Sequence, residues 1–110
     1  MKILIFALII SLTCPSVYAG SSAGLITNPF SGSTSILNGF TAGIHQNKPA
    51  CSTLGDDWAF NATTPEGKAM LALLLTAYSL KKPIHVEGKG VCDVYPYRES
   101  VDYFYIIDQP

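Results

Sequence analysis

Apolar and polar positions fall into distinct patterns along the 110 residues. Ile3 to Leu12 (ILIFALIISL) is almost wholly apolar, and a Pro15-Ser16 break follows it. From Gly20 to Gly24 the pattern predicts only a flexible start. Between Gly24 and Asn47, Leu25-Ile26, Ser35-Ile36-Leu37 and Phe40-Thr41-Ala42-Gly43-Ile44 predict short strands. Asn28-Pro29 and Asn38-Gly39 between them predict turns, the second a hairpin turn. Trp58-Ala59-Phe60-Asn61 predicts another strand. Ile84-His85-Val86-Glu87-Gly88 alternates apolar with polar, the mark of a strand with one buried face. Val91-Cys92-Asp93-Val94 is expected to continue that sheet, Tyr95 to Ser100 to form a loop, and Val101 to Ile107 to be the last strand.

The helix is the strongest local pattern. Thr63-Thr64-Pro65-Glu66 supplies a hydroxyl cap, a proline suited to the first helical position and an acid in the first turn. Strong helix formers run from Gly67 to Leu80. Lys81-Lys82 suit the negative end of the dipole, and Pro83 stops the helix. This predicts a helix over about 65–81 and an α+β domain: a small antiparallel sheet or barrel around one central helix. At about 100° per residue, Ala69, Leu80, Leu73, Ala77, Met70, Leu74, Tyr78 and Leu71 share an arc of roughly 200°, with Leu75 and Ala72 outside it. That is more apolar surface than one small sheet covers. Either the helix is sunk between sheet and loops, or Met70, Leu71, Leu74, Leu75 and Tyr78 also meet neighbouring copies.

The N-terminal pattern changes how the rest is read. One cation at Lys2, a short apolar run and small residues at Val17 and Ala19 are the marks of a secretory signal over 1–19, cleaved after Ala19. The run is too short to span a bilayer core of about 30 Å. Ser11-Leu12-Thr13 before Cys14 and Pro15 after it argue against lipidation. The expected mature chain, residues 20–110, is a single secreted or periplasmic domain with no transmembrane segment. Its 6 cations against 8 anions do not suit a nucleic-acid binder, which needs a clear surplus of Lys and Arg. Charged residues make up only 14% of the chain and aromatics 11%, which excludes a disordered chain.

Cys51 and Cys92 remain after processing, and an even pair in an exported chain reads as one disulfide. Two lone cysteines without a CxxC make a poor zinc framework, and a catalytic thiol would need a base beside it. No catalytic constellation, metal site or cofactor motif is evident. His85 reads as a polar-face strand residue, and Asp56-Asp57 as a capped or solvated turn. Asn61-Ala62-Thr63 matches a glycosylation sequon. Tyr95, Tyr97, Arg98 and Glu99, with Ser52 and Trp58, are the candidate ligand contacts, because aromatic faces edged by polar groups are what a recognition surface requires. The plainer reading has Tyr95 and Tyr97 covering the disulfide and Tyr103 and Tyr105 alternating on a strand.

Pro49-Ala50-Cys51-Ser52, Trp58-Ala59-Phe60-Asn61 and the run Thr64 to Tyr78, followed by Ile84 to Gly90, Cys92 and Glu99-Ser100-Val101-Asp102-Tyr103, resemble a set of small exported bacterial proteins. More distantly, the layout resembles receptor-binding B subunits of bacterial toxins of the subtilase cytotoxin type. That resemblance implies an OB-like barrel with one helix, a homo-oligomeric ring of five around the helices, a cell-surface glycan as receptor and an enzymatic A subunit as partner. It carries over no individual glycan-contacting residue. The expected function is therefore a secreted, non-enzymatic binding protein. The alternative is a monomeric periplasmic or secreted interaction or inhibitor module that docks through a strand edge or loop.

Overall fold

The structure, a computed structural model, describes residues 18–108. Apart from Tyr18 and Ala19, the leader expected over 1–19, with Cys14, lies outside the described residues. Five strands and one helix follow in the order β1 (Ser21–Ser31), β2 (Asn38–Ala42), β3 (Asp57–Phe60), α1 (Pro65–Ser79), β4 (Pro83–Gly88) and β5 (Glu99–Ile106). The strands close into a barrel in the order β1-β2-β3-β5-β4. All neighbours are antiparallel except β3 and β5, which run parallel through Trp58 opposite Glu99 and Ala59 opposite Ser100. The α+β class and the single helix are as expected; of the two expected forms, sheet or barrel, the strands take the closed barrel, with one parallel pair in place of a wholly antiparallel set.

Closure depends on β1. Its first half pairs with β4, from Ser21 opposite Glu87 to Leu25 opposite Pro83. Its second half pairs with β2, from Ile26 opposite Ala42 to Ser31 opposite Asn38. The chain changes partner at the close approach of Gly24 and Gly43, where Gly43 has φ +71° and a Cβ would collide with the Ala23 carbonyl. Residues Gly20 to Gly24 are therefore structured, not a flexible start. Asn28-Pro29 is no turn either. It is an irregularity between Thr27 and Phe30 within one long strand, with Asn28 in the left-handed region. Asn38-Gly39 likewise lies inside β2, and the connection from β1 runs through Gly32 to Leu37, closed by Gly32 N–H to Leu37 C=O at 2.6 Å. Ser35-Ile36-Leu37 belongs to that connection, and Val91 to Val94 to an irregular loop.

The core lies where the barrel meets the helix. Phe40, Trp58, Phe60, Leu74, Ala77, Ile84, Val86, Val101 and Phe104 are buried there, with Met70 and Leu71 packed at its margin. Alternation on β4 is as expected, with Ile84, Val86 and Gly88 buried between half-buried neighbours. The Thr64 side chain accepts from Gly67 N–H at 3.0 Å and caps the helix, with Pro65 at its start. Its other end comes earlier than Pro83. Leu80 is the C-cap, Lys81 takes the left-handed conformation, and Lys82 N–H bonds back to Ala77 C=O at 2.9 Å. Lys81 and Lys82 thus lie beyond the last turn. Cys51 and Cys92 form the expected disulfide, with Cα atoms 6.1 Å apart.

Candidate functional site

The tight turn Tyr95–Arg98 closes through Arg98 N–H to Tyr95 C=O at 3.2 Å, with Pro96 at its second position. It is anchored from outside by Thr53 N–H donating to Tyr97 C=O at 3.0 Å, and by the Cys51–Cys92 bond three residues before it. The Tyr95 and Tyr97 rings meet edge to face at 5.7 Å, and Tyr97 is 52% exposed. The Arg98 guanidinium lies between two aromatic faces, 4.7 Å from the centroid of Phe30 and 4.8 Å from that of Tyr95. Its Nε donates to Asp57 Oδ2 at 3.2 Å, and Asp57 Oδ1 accepts from Thr41 Oγ1 at 2.9 Å. A cation held by stacking and by a buttressed carboxylate is fixed in direction before any ligand arrives. The result is a corner of three aromatic rings edged by hydroxyl, guanidinium and carboxylate groups.

Phe30 and Asp57 join this corner although neither stood among the sequence candidates. Phe30 sits on the second half of β1, opposite Gly39, and only the strand pairing brings it to Arg98. Three of the sequence candidates do not belong to an exposed site. Trp58 has no exposed surface, since its position on β3 points into the barrel, and its Nε1–H donates to Ser22 Oγ at 2.9 Å. Glu99 opens β5 beside Trp58 and is equally buried. Ser52 is 7% exposed, its Oγ enclosed without a hydrogen-bond partner. Tyr95, Tyr97 and Arg98 are the candidates that the fold brings together.

Glu99 instead forms a buried polar centre. Its Oε1 lies 2.6 Å from His45 Nε2, with neither side chain exposed, and its Oε2 accepts from the N–H groups of Gly20 and Gly90, each at 2.9 Å. His45 stacks on the indole of Trp58 at 3.8 Å and 18°. Desolvation holds the His45 pKa below its ordinary value, against the opposing pull of Glu99. The bonding agrees: His45 Nδ1 is enclosed with no partner, as suits a neutral ring that keeps its proton on Nε2. At Gly88 a Cβ would overlap Glu99 Oε2 and crowd the Trp58 ring, so the carboxylate requires bare backbone beside it.

Two other surfaces carry candidate residues. On α1, Leu74 is 2% exposed and belongs to the core of its own barrel, and Met70 and Leu71 are half-buried against that core. Leu75 and Tyr78 remain exposed at 50% and 48%, and Leu73 and Leu80 flank the other side. The helix is therefore neither sunk nor wholly free. On the outer face of β4 and β5, His85 stacks on Tyr105 at 5.1 Å and bonds Glu87 at 2.6 Å, while Tyr103 sits opposite Glu87. Asp56 accepts from the His45 backbone N–H at 2.9 Å, which with Arg98 and Thr41 on Asp57, at the start of β3, commits both carboxylates within the protein. Among the described residues no helix is long and apolar enough to cross a membrane. No family model, curated protein or solved structure matches the chain.

Proposed function

We propose that the chain is an exported, non-enzymatic binding protein that recognises a cell-surface glycan at the Tyr95–Arg98 corner. The observation that carries this reading is the exposed Tyr97 ring beside a guanidinium held rigid by Phe30, Tyr95 and Asp57. A sugar ring offers an apolar face to stack and hydroxyls to bond, and the corner supplies both kinds of contact on a disulfide-anchored turn. Five strands in the order 1-2-3-5-4, with the helix between β3 and β4, support an OB-type barrel. The exposed Leu73, Leu75, Tyr78 and Leu80 support a ring of copies, five in the toxin-like arrangement, packed through their helices. In that arrangement an enzymatic A subunit would be the further partner.

A glycan array probed with the oxidised protein tests the reading, with Tyr97→Ala as control. The wild type binds a defined set of glycans, and the variant loses at least about tenfold in affinity, or 1.4 kcal/mol, with its thermal unfolding unchanged. No binder above background at high protein concentration overturns the glycan assignment. The alternative, a monomeric interaction module docking through a strand edge or loop, keeps only its loop route in a closed barrel.

A further inference from the structure

Both oxygens of Glu99 accept hydrogen bonds, the bonding of a carboxylate rather than an acid, yet its partners are two backbone N–H groups and an imidazole. Among the described residues no lysine or arginine pairs with it. A buried carboxylate without a countercharge is strongly unfavourable. One of its two backbone donors is the nitrogen of Gly20, the residue that follows the expected cleavage point. Tyr18 and Ala19 are exposed and Gly20 is buried, so the chain enters the protein at that bond. Gly20 is held on both sides. Its C=O accepts from Gly88 N–H at 2.9 Å, and Ser21 exchanges hydrogen bonds with Gln46 at 3.0 and 2.7 Å. A Cβ at Gly20 would overlap Glu99 Oε1 and crowd His45 Nε2, so a glycine is required there.

We propose that cleavage between Ala19 and Gly20 creates an α-ammonium group that occupies a built-in site on Glu99, and that this internal ion pair fastens β1 into the barrel. The step is a hydrolysis by a signal peptidase. The hydroxyl of water goes to the Ala19 carbonyl carbon and its hydrogen to the Gly20 nitrogen. The proton released by the new Ala19 carboxyl group completes the ammonium. The site gains the positive charge that it lacks, and the Gly20 nitrogen gains two further N–H donors at the place where the amide already lies 2.9 Å from Oε2. Processing at a neighbouring bond would leave the charge outside, on exposed Ala19, or remove the glycine. The exact position of the cut thus becomes a determinant of stability, independently of what the protein binds.

The test begins with the full 110-residue chain, exported by a bacterial host and its product characterised by mass spectrometry. The product begins at Gly20, and under native conditions its α-amine is reductively methylated at least tenfold more slowly than in the urea-unfolded chain. A product beginning at another residue, or an amine that reacts equally fast in both states, overturns the proposal. A second comparison keeps Ala19 at the N-terminus, in wild-type and Glu99→Gln backgrounds. In wild type the extra residue lowers Tm by at least about 5 °C, whereas in Glu99→Gln the two forms melt together. Equal Tm values in wild type overturn the proposal. Should Glu99→Gln not fold, the labelling rate and the wild-type pair decide.

Discussion

His45 shows how one residue ties the polar centre to pH. Its folded pKa lies below the unfolded value near 6.5 because burial disfavours the imidazolium. As pH falls through about 6.5, the unfolded chain takes up a proton that the native His45 does not, so stability drops on the acid side and is full above it. Urea midpoints at pH 7.5 and 5.5 check this: the midpoint is lower at 5.5, and a His45→Asn variant, whatever its absolute stability, loses that part of the slope. Gly88 is the steric counterpart. Gly88→Ala places a methyl group against Glu99 Oε2 and Trp58, which costs about 1–3 kcal/mol by overpacking. A loss below about 0.5 kcal/mol in chemical denaturation would show that the carboxylate moves aside freely.

The helix separates two kinds of leucine one position apart. Leu74 packs in the core and Leu75 faces outward. Leu74→Ala therefore costs about 2–5 kcal/mol, while Leu75→Lys with Tyr78→Lys leaves stability within about 1 kcal/mol. In native mass spectrometry the double variant is monomeric where the wild type forms the ring proposed above; a wild type that is itself monomeric removes the ring. Elements whose signal is local were legible in the sequence: the Thr64 cap, the helix, and the alternation of β4. The first hairpin was not. Asn28-Pro29 and Asn38-Gly39 carry turn residues, but pairing with β2 and β3 holds them in strands, so tertiary contacts override the local preference. The candidate corner was half legible for a similar reason. Tyr95, Tyr97 and Arg98 are near neighbours in sequence, whereas Phe30 and Asp57 reach Arg98 only through the barrel. The inward direction of Trp58 and Glu99 depends on register, which composition does not reveal.

For the molecule as a whole, the Cys51–Cys92 bond spans 41 positions and ties the loop before β3 to the loop before β5. A closed loop of that length contributes on the order of 4 kcal/mol by restricting the unfolded chain. Replacing both cysteines by serine lowers the unfolding free energy by about 2–5 kcal/mol. It also frees the turn that carries Tyr97, so any glycan affinity falls even at temperatures where the variant remains folded. Equilibrium denaturation and glycan binding on one preparation check both effects; unchanged affinity in a folded variant would mean that the backbone bonds from Thr53 and Leu54 to Tyr97 suffice.

The division of β1 between two partners sets an order of events. A chain delivered N-terminus first releases β1 early, and the second half of that strand can pair with β2 at once. Its first half must wait for β4, whose Glu87 is the partner of Ser21. Until then the barrel is an open sheet, and its earliest segment has only the bridge between Ser21 and Gln46 to hold it. Closure is a contact between distant parts of the chain, the kind that slows folding toward the millisecond-to-second range. The beginning of β1 is thus among the last pieces to be secured, and in the interval it is the stretch most available to a chaperone or a protease.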